Sequence, residues 1–276
     1  PELLAGIEPD AALAAKLLSL RKVMPPQTQE TARQVVARVV DDLVRRIEYP
    51  LRQAVSGRLN RAARTYRPRK AQEIDWGRTI HANLKHYRPE LGTVIPEKLV
   101  GFGRRRATLK DVILLVDTSG SMATSVVYSG IIAAVLASLP SINTRLVMFD
   151  TAVVDLTDRL DDPVEMLFGL RLGGGTNIDQ ALSYARGAIT RPRDTIVVLI
   201  SDLFEGGNKE RMVRQVQHML ADGVQFITLL ALNDQGAARY NAAVAQELAD
   251  LGVPAFACTP EQFADLMARA LNEQWR

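Results

Sequence analysis

The sequence has few of the residue types on which several protein classes depend. One cysteine, Cys258, stands among 276 residues, which excludes internal disulfides and a cysteine metal cluster. There are three histidines, scattered along the chain, and aromatic residues make up only 5%. No apolar run approaches the roughly 20 residues that cross a bilayer, and the N-terminus lacks the features of a secretory signal. We therefore expect a cytoplasmic protein without membrane partners.

The net charge of +3 is unevenly distributed. Residues 1–106 contain 21 Lys and Arg against 11 Asp and Glu, whereas the remainder contains 13 against 20. Such asymmetry indicates two parts that attract each other, or a basic part with its own partner. Residues 52–70 are especially basic and could neutralise nucleic-acid phosphates. One interleaved aromatic, Tyr66, and no recognised nucleic-acid module make nucleic acid the alternative partner.

Residues 1–107 are predicted to form a basic, mostly helical region. Residues 11–23 are rich in Ala and Leu, and residues 28–47 carry apolar side chains at helical spacing. Pro50 should interrupt or bend this helix, and a further short helix is expected over residues 76–87, before Pro89. The arginines at 104–106 mark the boundary, because the composition changes abruptly after them.

From Asp111 onward, predicted strands alternate with predicted helices. Residues 111–116 (DVILLV) and 195–200 (TIVVLI) are continuous apolar runs, which is typical of strands buried on both faces. Further strands are predicted at 144–149, 225–230 and 254–257, with an antiparallel edge strand at 153–156. Helices are predicted at 122–139, 177–189, 208–221, 237–251 and 260–271. This alternation predicts an α/β domain over residues 108–276, with a doubly wound, mainly parallel sheet.

Three polar segments follow predicted strands or precede predicted helices: D-T-S-G-S at 117–121, L-G-G-G-T-N at 172–177 and S-D at 201–202. Ligands of doubly wound sheets collect at the carboxyl ends of the strands. The candidate metal ligands are Asp117, Ser119, Ser121, Thr176 and Asp202. Two carboxylates and three hydroxyls, with neither His nor Cys, suit a hard cation such as Mg²⁺, although Mn²⁺ or Ca²⁺ is compatible.

The predicted site has room for a ligand from outside the chain. The three hydroxyls can reach the ion directly, while Asp117 and Asp202 balance its charge directly or through water. An open coordination position would then attract an Asp or Glu of a partner protein. Gly120 and the glycines at 173–175 allow tight turns and close backbone approach. We expect no catalytic residue and no cofactor besides the metal.

Other interpretations of these segments remain open at the level of sequence. Ser119, Ser121, Thr176 or Asn177 could cap helices. A glycine-rich loop before a helix can bind phosphate, but the Lys and spacing of a P-loop are absent. Asp117 could act as the nucleophile of a Mg²⁺-dependent hydrolase, although no general acid or basic phosphate clamp flanks it.

Together the three motifs resemble the metal-ion-dependent adhesion site (MIDAS) of von Willebrand factor A (VWA) domains, with all five ligand positions present in order. The resemblance covers about residues 108–276. It implies a Rossmann-like VWA fold and a non-enzymatic module that binds protein partners through a metal ion.

A narrower resemblance is to bacterial CoxE-like VWA proteins. It is carried by N-L-K-H-Y-R-P-E-L at 83–91, I-P-E-K-L at 95–99, the arginine triplet and D-T-A-V-V-D-L-T at 150–157. It implies a partner AAA+ ATPase of the MoxR type, for which the chain would serve as an adaptor or co-chaperone.

Overall fold

The structure is a computed structural model. It describes residues 11–55, 59–68, 70–104, 109–139, 142–170, 173–230, 240–257, 262, 266–267 and 269–271. Internal contacts divide the chain into two compact units. The larger unit combines Pro1–Arg52 with Thr108–Arg276, and the smaller unit is Gln53–Ala107. The smaller unit ends at residue 107, where the sequence predicted a boundary. Residues 1–52, predicted to form one region with residues 53–107, are instead part of the larger unit.

Within the described ranges, the α-helices are α1 (Ala11–Leu20), α2 (Pro26–Val55), α3 (Trp76–Ala82), α4 (Ala123–Ala137), α5 (Pro163–Gly169), α6 (Ile178–Ala188), α7 (Lys209–Ala221) and α8 (Ala242–Asp250). The strands are β1 (Leu59–Thr65), β2 (Tyr87–Arg88), β3 (Thr93–Val94), β4 (Gly101–Arg104), β5 (Lys110–Asp117), β6 (Ile142–Phe149), β7 (Val153–Asp155), β8 (Thr195–Ser201), β9 (Gln225–Leu230) and β10 (Ala255–Ala257).

The larger unit is built on a six-stranded sheet in the order β10-β9-β8-β5-β6-β7. All neighbours are parallel except β7, which pairs antiparallel with β6 at the edge. The predicted α/β fold, with its mainly parallel sheet and antiparallel edge strand, is confirmed. β5 and β8 are buried along nearly their whole length, because helices cover both faces of the sheet. The chain leaves β5 towards β6 on one side and later returns to β8 on the other.

The N-terminal helices provide a second layer over α4. Helix α4 contains few polar residues, and it packs against β6 as well as against α1. Burial from two directions explains why its apolar residues do not form a single stripe. Helix α2 continues through Pro50 to Val55, with Leu51 fully buried, so the predicted interruption is wrong. Pro50 has no amide hydrogen and cannot donate a hydrogen bond within the helix. The packing of the buried Leu51 side chain stabilises the last turns of α2 in spite of this loss.

The smaller unit contains two short antiparallel pairs besides α3. β1 pairs with β4, and β2 pairs with β3. The predicted helix over residues 76–87 is present as α3 and a following 3₁₀ turn, Leu84–His86. The β1–β4 pair was not predicted, because its partners are some forty residues apart and β1 contains three arginines or asparagines among its seven residues.

Some residues named in the sequence analysis lie in parts of the chain that are not described. Cys258 lies outside the described residues, and so does most of the predicted helix at 260–271. In the ranges that are described, no helix is long and apolar enough to cross a membrane.

A hydrogen-bonded cluster around Asp155 joins the edge of the sheet to α6. Its carboxylate accepts hydrogen bonds from the Thr157 amide (2.9 Å), the Arg145 guanidinium (2.6 Å) and the Tyr184 hydroxyl (2.6 Å). Burial alone would raise the pKa of Asp155, but hydrogen bonds from Thr157, Tyr184 and Arg145 hold it below its ordinary value. The charged form of Asp155 therefore contributes to the stability of the folded state.

We expect Asp155→Asn to lower the free energy of unfolding by about 1 kcal/mol at pH 7, since the cluster is partly exposed. A carboxyl with a depressed folded pKa contributes stability above its unfolded pKa, about 3.9, and loses it as the pH falls through the folded pKa. Urea unfolding at pH 7 and pH 3 should therefore show a gap from wild type that shrinks in acid. Exposed Asp158 supplies the control, Asp158→Asn. A gap that is the same at both pH values would contradict the assigned role.

Candidate metal site

The three polar segments meet at the carboxyl edge of the sheet. β5 and β8 run parallel with Val116 opposite Ile200, so Asp117 and Ser201 end neighbouring strands. Backbone hydrogen bonds then connect the loops. The Gly173 amide donates to the Thr118 carbonyl oxygen (3.0 Å), and the Gly206 amide donates to the Thr176 carbonyl oxygen (2.9 Å). Segments that are distant in sequence are therefore held together as one edge.

Asp117 lies at the centre of this edge and is fully buried. Its Oδ1 accepts a hydrogen bond from the Ser119 amide (2.9 Å), and its Oδ2 accepts one from the Ser201 hydroxyl (2.8 Å). Burial raises the pKa of Asp117 above its ordinary value, against the effect of these hydrogen bonds, and the nearby negative charge of Asp202 raises it further. A cation beside the two carboxylates would relieve both the burial of charge and the repulsion.

Ser119 presents a buried hydroxyl without a hydrogen-bond partner in the structure. Its Oγ is near enough to lower the pKa of Asp117, yet it lies outside the geometry of a normal hydrogen bond. Helix capping does not account for it, because α4 has Met122 at its N-cap and no side-chain cap. An unpaired buried hydroxyl costs free energy, and a bound cation would pair it.

The remaining predicted ligands are Asp202, Thr176 and Ser121. Asp202 is buried, and its Oδ1 accepts a hydrogen bond from the Phe204 amide (3.3 Å). Thr176 is partly buried in the glycine-rich loop, and the next residue, Asn177, caps α6 by accepting from the Gln180 amide (3.0 Å). The backbone of Ser121 lies in a 3₁₀ turn at the same edge, but its side chain is outside the described part of the structure.

Two glycines allow the loops to approach each other. Gly174 has a φ of 135°, which side chains rarely permit, and an added Cβ would lie 2.9 Å from an Asp150 carboxylate oxygen. At Gly206, an added Cβ would lie 2.7 Å from the Thr176 carbonyl oxygen. The close approach of the Asp202 loop to the Thr176 loop therefore depends on the missing side chain at 206.

Glu205 fastens the same two loops through its side chain. One carboxylate oxygen accepts from the Ile178 amide (2.7 Å) at the start of α6, and the other accepts from the Gly207 amide (2.6 Å). Burial raises the pKa of Glu205 despite these hydrogen bonds. Its partner at 178 is 27 residues away, so no local pattern indicated this connecting role.

Leu203 adds backbone strain directly after Asp202. Its φ of 60° places it in the left-handed region, which costs a residue with a side chain about 1–2 kcal/mol. The side chain is fully buried, and the amide donates to the Ser201 hydroxyl (3.0 Å). Packing of the Leu203 side chain and this hydrogen bond stabilise the turn directly after Asp202. The periodicity of the sequence does not predict such a turn.

The donor set suits a hard cation. Across the described ranges, no three His, Cys, Asp or Glu side chains cluster as a metal site, so a cation at this edge would need hydroxyl oxygens as well as Asp117 and Asp202. Ser119 supplies such an oxygen, buried and unpaired. Two carboxylates with neutral oxygen donors match the preferences of Mg²⁺.

Comparison with known proteins adds a family match. The family described as VWA domain containing CoxE-like protein matches residues 43–267. The uncharacterized protein YehP of Escherichia coli strain K12 is 36% identical over 273 residues, which is 98% of this chain and 72% of YehP.

Solved structures that resemble the chain include three bacterial and archaeal proteins. An aerotolerance-related membrane protein from Bacteroides fragilis is 16% identical, with a TM-score of 0.47, covering 59% of this chain and 98% of its own. A von Willebrand factor type A protein from Catenulispora acidiphila is 14% identical (TM-score 0.45; 63% and 45%). The ArnB paralog VWA2 from Sulfolobus acidocaldarius is 19% identical (TM-score 0.43; 62% and 47%).

Proposed function

We propose that this chain, which belongs to the family of VWA domain containing CoxE-like proteins, is a non-enzymatic interaction module. It would bind its partners through a divalent cation. Asp117, Ser119, Ser121, Thr176 and Asp202 would hold the ion, with Mg²⁺ the preferred occupant. When bound, the ion would offer a coordination position to an Asp or Glu of the partner.

The observation that carries this proposal is the buried, unpaired Ser119 hydroxyl beside two mutually repelling carboxylates. Without a cation, this arrangement costs free energy in two ways. The Ser119 hydroxyl is buried without a partner, and two negative charges lie close together in a buried site. A structural turn would not need either feature. The Asp117 carboxylate would keep its hydrogen bonds from Ser119 and Ser201 while it balances the charge of the ion.

The rim of the edge offers a surface for the protein that brings the carboxylate. Phe204 follows Asp202 by two residues and is half exposed, at 47%. An exposed aromatic ring is a common anchor in protein interfaces. We propose that the partner's acidic residue reaches the ion while neighbouring side chains pack on Phe204.

The partner that the family resemblance implies is an AAA+ ATPase of the MoxR type, met in the cytoplasm, with the chain as its adaptor or co-chaperone. Turnover is not part of this proposal.

Ser119→Ala tests the site with the smallest change in shape. We expect it to weaken Mg²⁺ binding at least tenfold, measured by titration calorimetry, because one direct oxygen ligand is lost. Stability without metal should stay equal or rise, since the removed hydroxyl had no partner. Ser138→Ala, on an exposed serine of α4's C-terminus, is the matched control.

Partner capture from the native source, in Mg²⁺ and in EDTA, completes this experiment. Capture should be lost in EDTA and with Ser119→Ala, and retained with Ser138→Ala. If Ser119→Ala binds Mg²⁺ and captures partners as the wild type does, the proposed metal-dependent docking is wrong.

A further inference from the structure

The smaller unit exposes an unusual share of large apolar side chains. Of fourteen such side chains that are exposed among the described residues, seven lie between positions 66 and 95. Isolated exposed apolar residues are ordinary, but clusters mark interaction sites. Three of the seven, Trp76, Ile80 and Leu84, are spaced four residues apart along α3 and the 3₁₀ turn that follows.

Helix α3 buries polar residues and exposes apolar ones. Thr79 and Asn83 are its inward side chains, at 1% and 2% exposure. The Thr79 hydroxyl donates to the Val100 carbonyl oxygen and accepts from the Val100 amide (both 3.0 Å). Asn83 donates to the Lys98 carbonyl oxygen (2.8 Å) and accepts from the Glu97 amide (3.0 Å). The helix is therefore fixed in the unit by hydrogen bonds to the 97–100 backbone.

The three apolar residues lie beside this inward side, on the adjacent face of α3 and of the 3₁₀ turn that follows it. Trp76, Ile80 and Leu84 are 54%, 46% and 52% exposed, whereas an amphipathic surface helix normally turns such a stripe inward. Because the inward positions are occupied by Thr79 and Asn83, the helix cannot rotate to bury the stripe without breaking those hydrogen bonds. The stripe, defined as Trp76, Ile80 and Leu84, extends for about 12 Å.

The surroundings of the stripe are basic. From Trp76 to Pro89 the sequence contains Arg78, Lys85 and Arg88, with Asp75 and Glu90 directly at the two ends of this stretch. Arg78 forms an ion pair with Asp75 (3.4 Å), so Lys85 and Arg88 are the basic residues most open to a partner. All three basic side chains are exposed. Over residues 53–107 there are 13 Lys and Arg against four Asp and Glu. A partner that covers the stripe therefore meets a positive electrostatic potential. Negatively charged side chains on that partner would be attracted to it.

We infer that the stripe is a docking site for an acidic amphipathic helix of a partner protein. Apolar residues of that helix would pack on Trp76, Ile80 and Leu84, and its Asp and Glu side chains would face the flanking arginines and lysine. Spacing at i, i+4 and i+8 on one helix matches the seam that a second helix covers. This site consists of residues other than those of the metal edge and does not depend on a cation.

The side chains favour protein over the other anionic surfaces. Nucleic acid is bound through phosphate contacts and through aromatic stacking, and neither uses the aliphatic Ile80 and Leu84. Helices that lie in anionic membranes bury long apolar faces, whereas α3 has seven residues and offers a seam one side chain wide. Trp76, at the first position of this seam, is a residue type that often anchors protein interfaces.

The test uses the full chain and a fluorescein-labelled peptide of about 18 residues, long enough to form a helix, with Leu along one face and Glu on the others. We expect saturable binding by fluorescence anisotropy. Ile80→Glu should weaken it at least tenfold, and Ile80→Lys, which keeps the surface basic, should weaken it several-fold through loss of the apolar contact. Ile80 is exposed, so both variants should fold, which circular dichroism checks. Val154→Glu, at an equally exposed residue of β7, should bind like the wild type.

Several results would overturn the inference. These are no binding by the wild type, equal binding by Ile80→Glu, or equal binding of a peptide with Lys in place of every Glu. Sedimentation with phosphatidylglycerol vesicles that Ile80→Glu abolishes, without peptide binding, would assign the stripe to membranes instead. Peptide binding that disappears in EDTA or with Asp117→Ala would place the peptide at the metal edge. Binding that persists in both supports the stripe even if the metal site fails its own test.

Discussion

Asp117→Asn is expected to abolish the response of the protein to Mg²⁺ while leaving the metal-free protein at least as stable as the wild type. Burial and the charge of Asp202 both raise the pKa of Asp117, so its ionised form is held at a cost that the neutral amide does not have. The asparagine carbonyl can still accept from the Ser119 amide, and its amide group can donate to the Ser201 oxygen. Loss of fold is therefore not the expected outcome.

The measurement is thermal unfolding in EDTA and in increasing Mg²⁺. A ligand that binds only the folded state adds about 2.7 kcal/mol when its concentration is 100-fold above Kd, which corresponds to a rise of roughly 5–10 °C for a unit of this size. The wild type should show this rise and Asp117→Asn should show none. A variant that melts far below the wild type in EDTA would indicate that Asp117 serves the fold, and an undiminished rise would remove Asp117 from the ligand set.

Gly206→Ala should damage the site without altering any ligand. The added Cβ would lie 2.7 Å from the Thr176 carbonyl oxygen, which already accepts from the Gly206 amide at 2.9 Å. The two loops must therefore move apart, and this hydrogen bond weakens. We expect a loss of about 1–3 kcal/mol in the free energy of unfolding and at least tenfold weaker Mg²⁺ binding, because Thr176 and Asp202 no longer keep their spacing.

Gly187→Ala is the matched control for this substitution. Gly187 lies in α6, and an added Cβ there meets nothing within 4 Å. The same change of residue should raise stability by about 0.5–1 kcal/mol and leave Mg²⁺ binding unchanged. Chemical denaturation and calorimetry on both variants separate a local clash from a general effect of replacing glycine. Normal Mg²⁺ binding by Gly206→Ala would show that the two loops can separate without consequence.

The sheet could be predicted because burial leaves a strong signal in the sequence. A strand covered on both faces must be apolar throughout, and β5 and β8 are. The place of the candidate ligands followed from the same reasoning, since the carboxyl ends of neighbouring parallel strands meet. Because Asp117 and Asp202 each follow a predicted parallel strand, the sequence predicted that both lie at the carboxyl edge of one sheet.

What could not be predicted depends on contacts between distant residues. Glu205 reaches the amide of Ile178, and no period in the sequence describes a side chain that caps another helix. Leu203 adopts a left-handed φ that its residue type disfavours, so local propensity pointed elsewhere. Within the larger unit, α1 packs on α4, which is apolar on more than one side. The composition of α4 indicated burial on several sides, but its periodicity could not identify α1 as the second partner.

The central position of β5 has a mechanical consequence. Asp117 ends a strand that is hydrogen-bonded to β6 on one side and to β8 on the other. A pull applied at Asp117 runs along the strand and loads both ladders in shear, so their hydrogen bonds share the force. The same pull along the edge strand β7, which is paired on one side only, would load a single ladder, so fewer hydrogen bonds would share the force. A partner bound at the end of β5 would thus be attached to a strand that two ladders hold in the sheet.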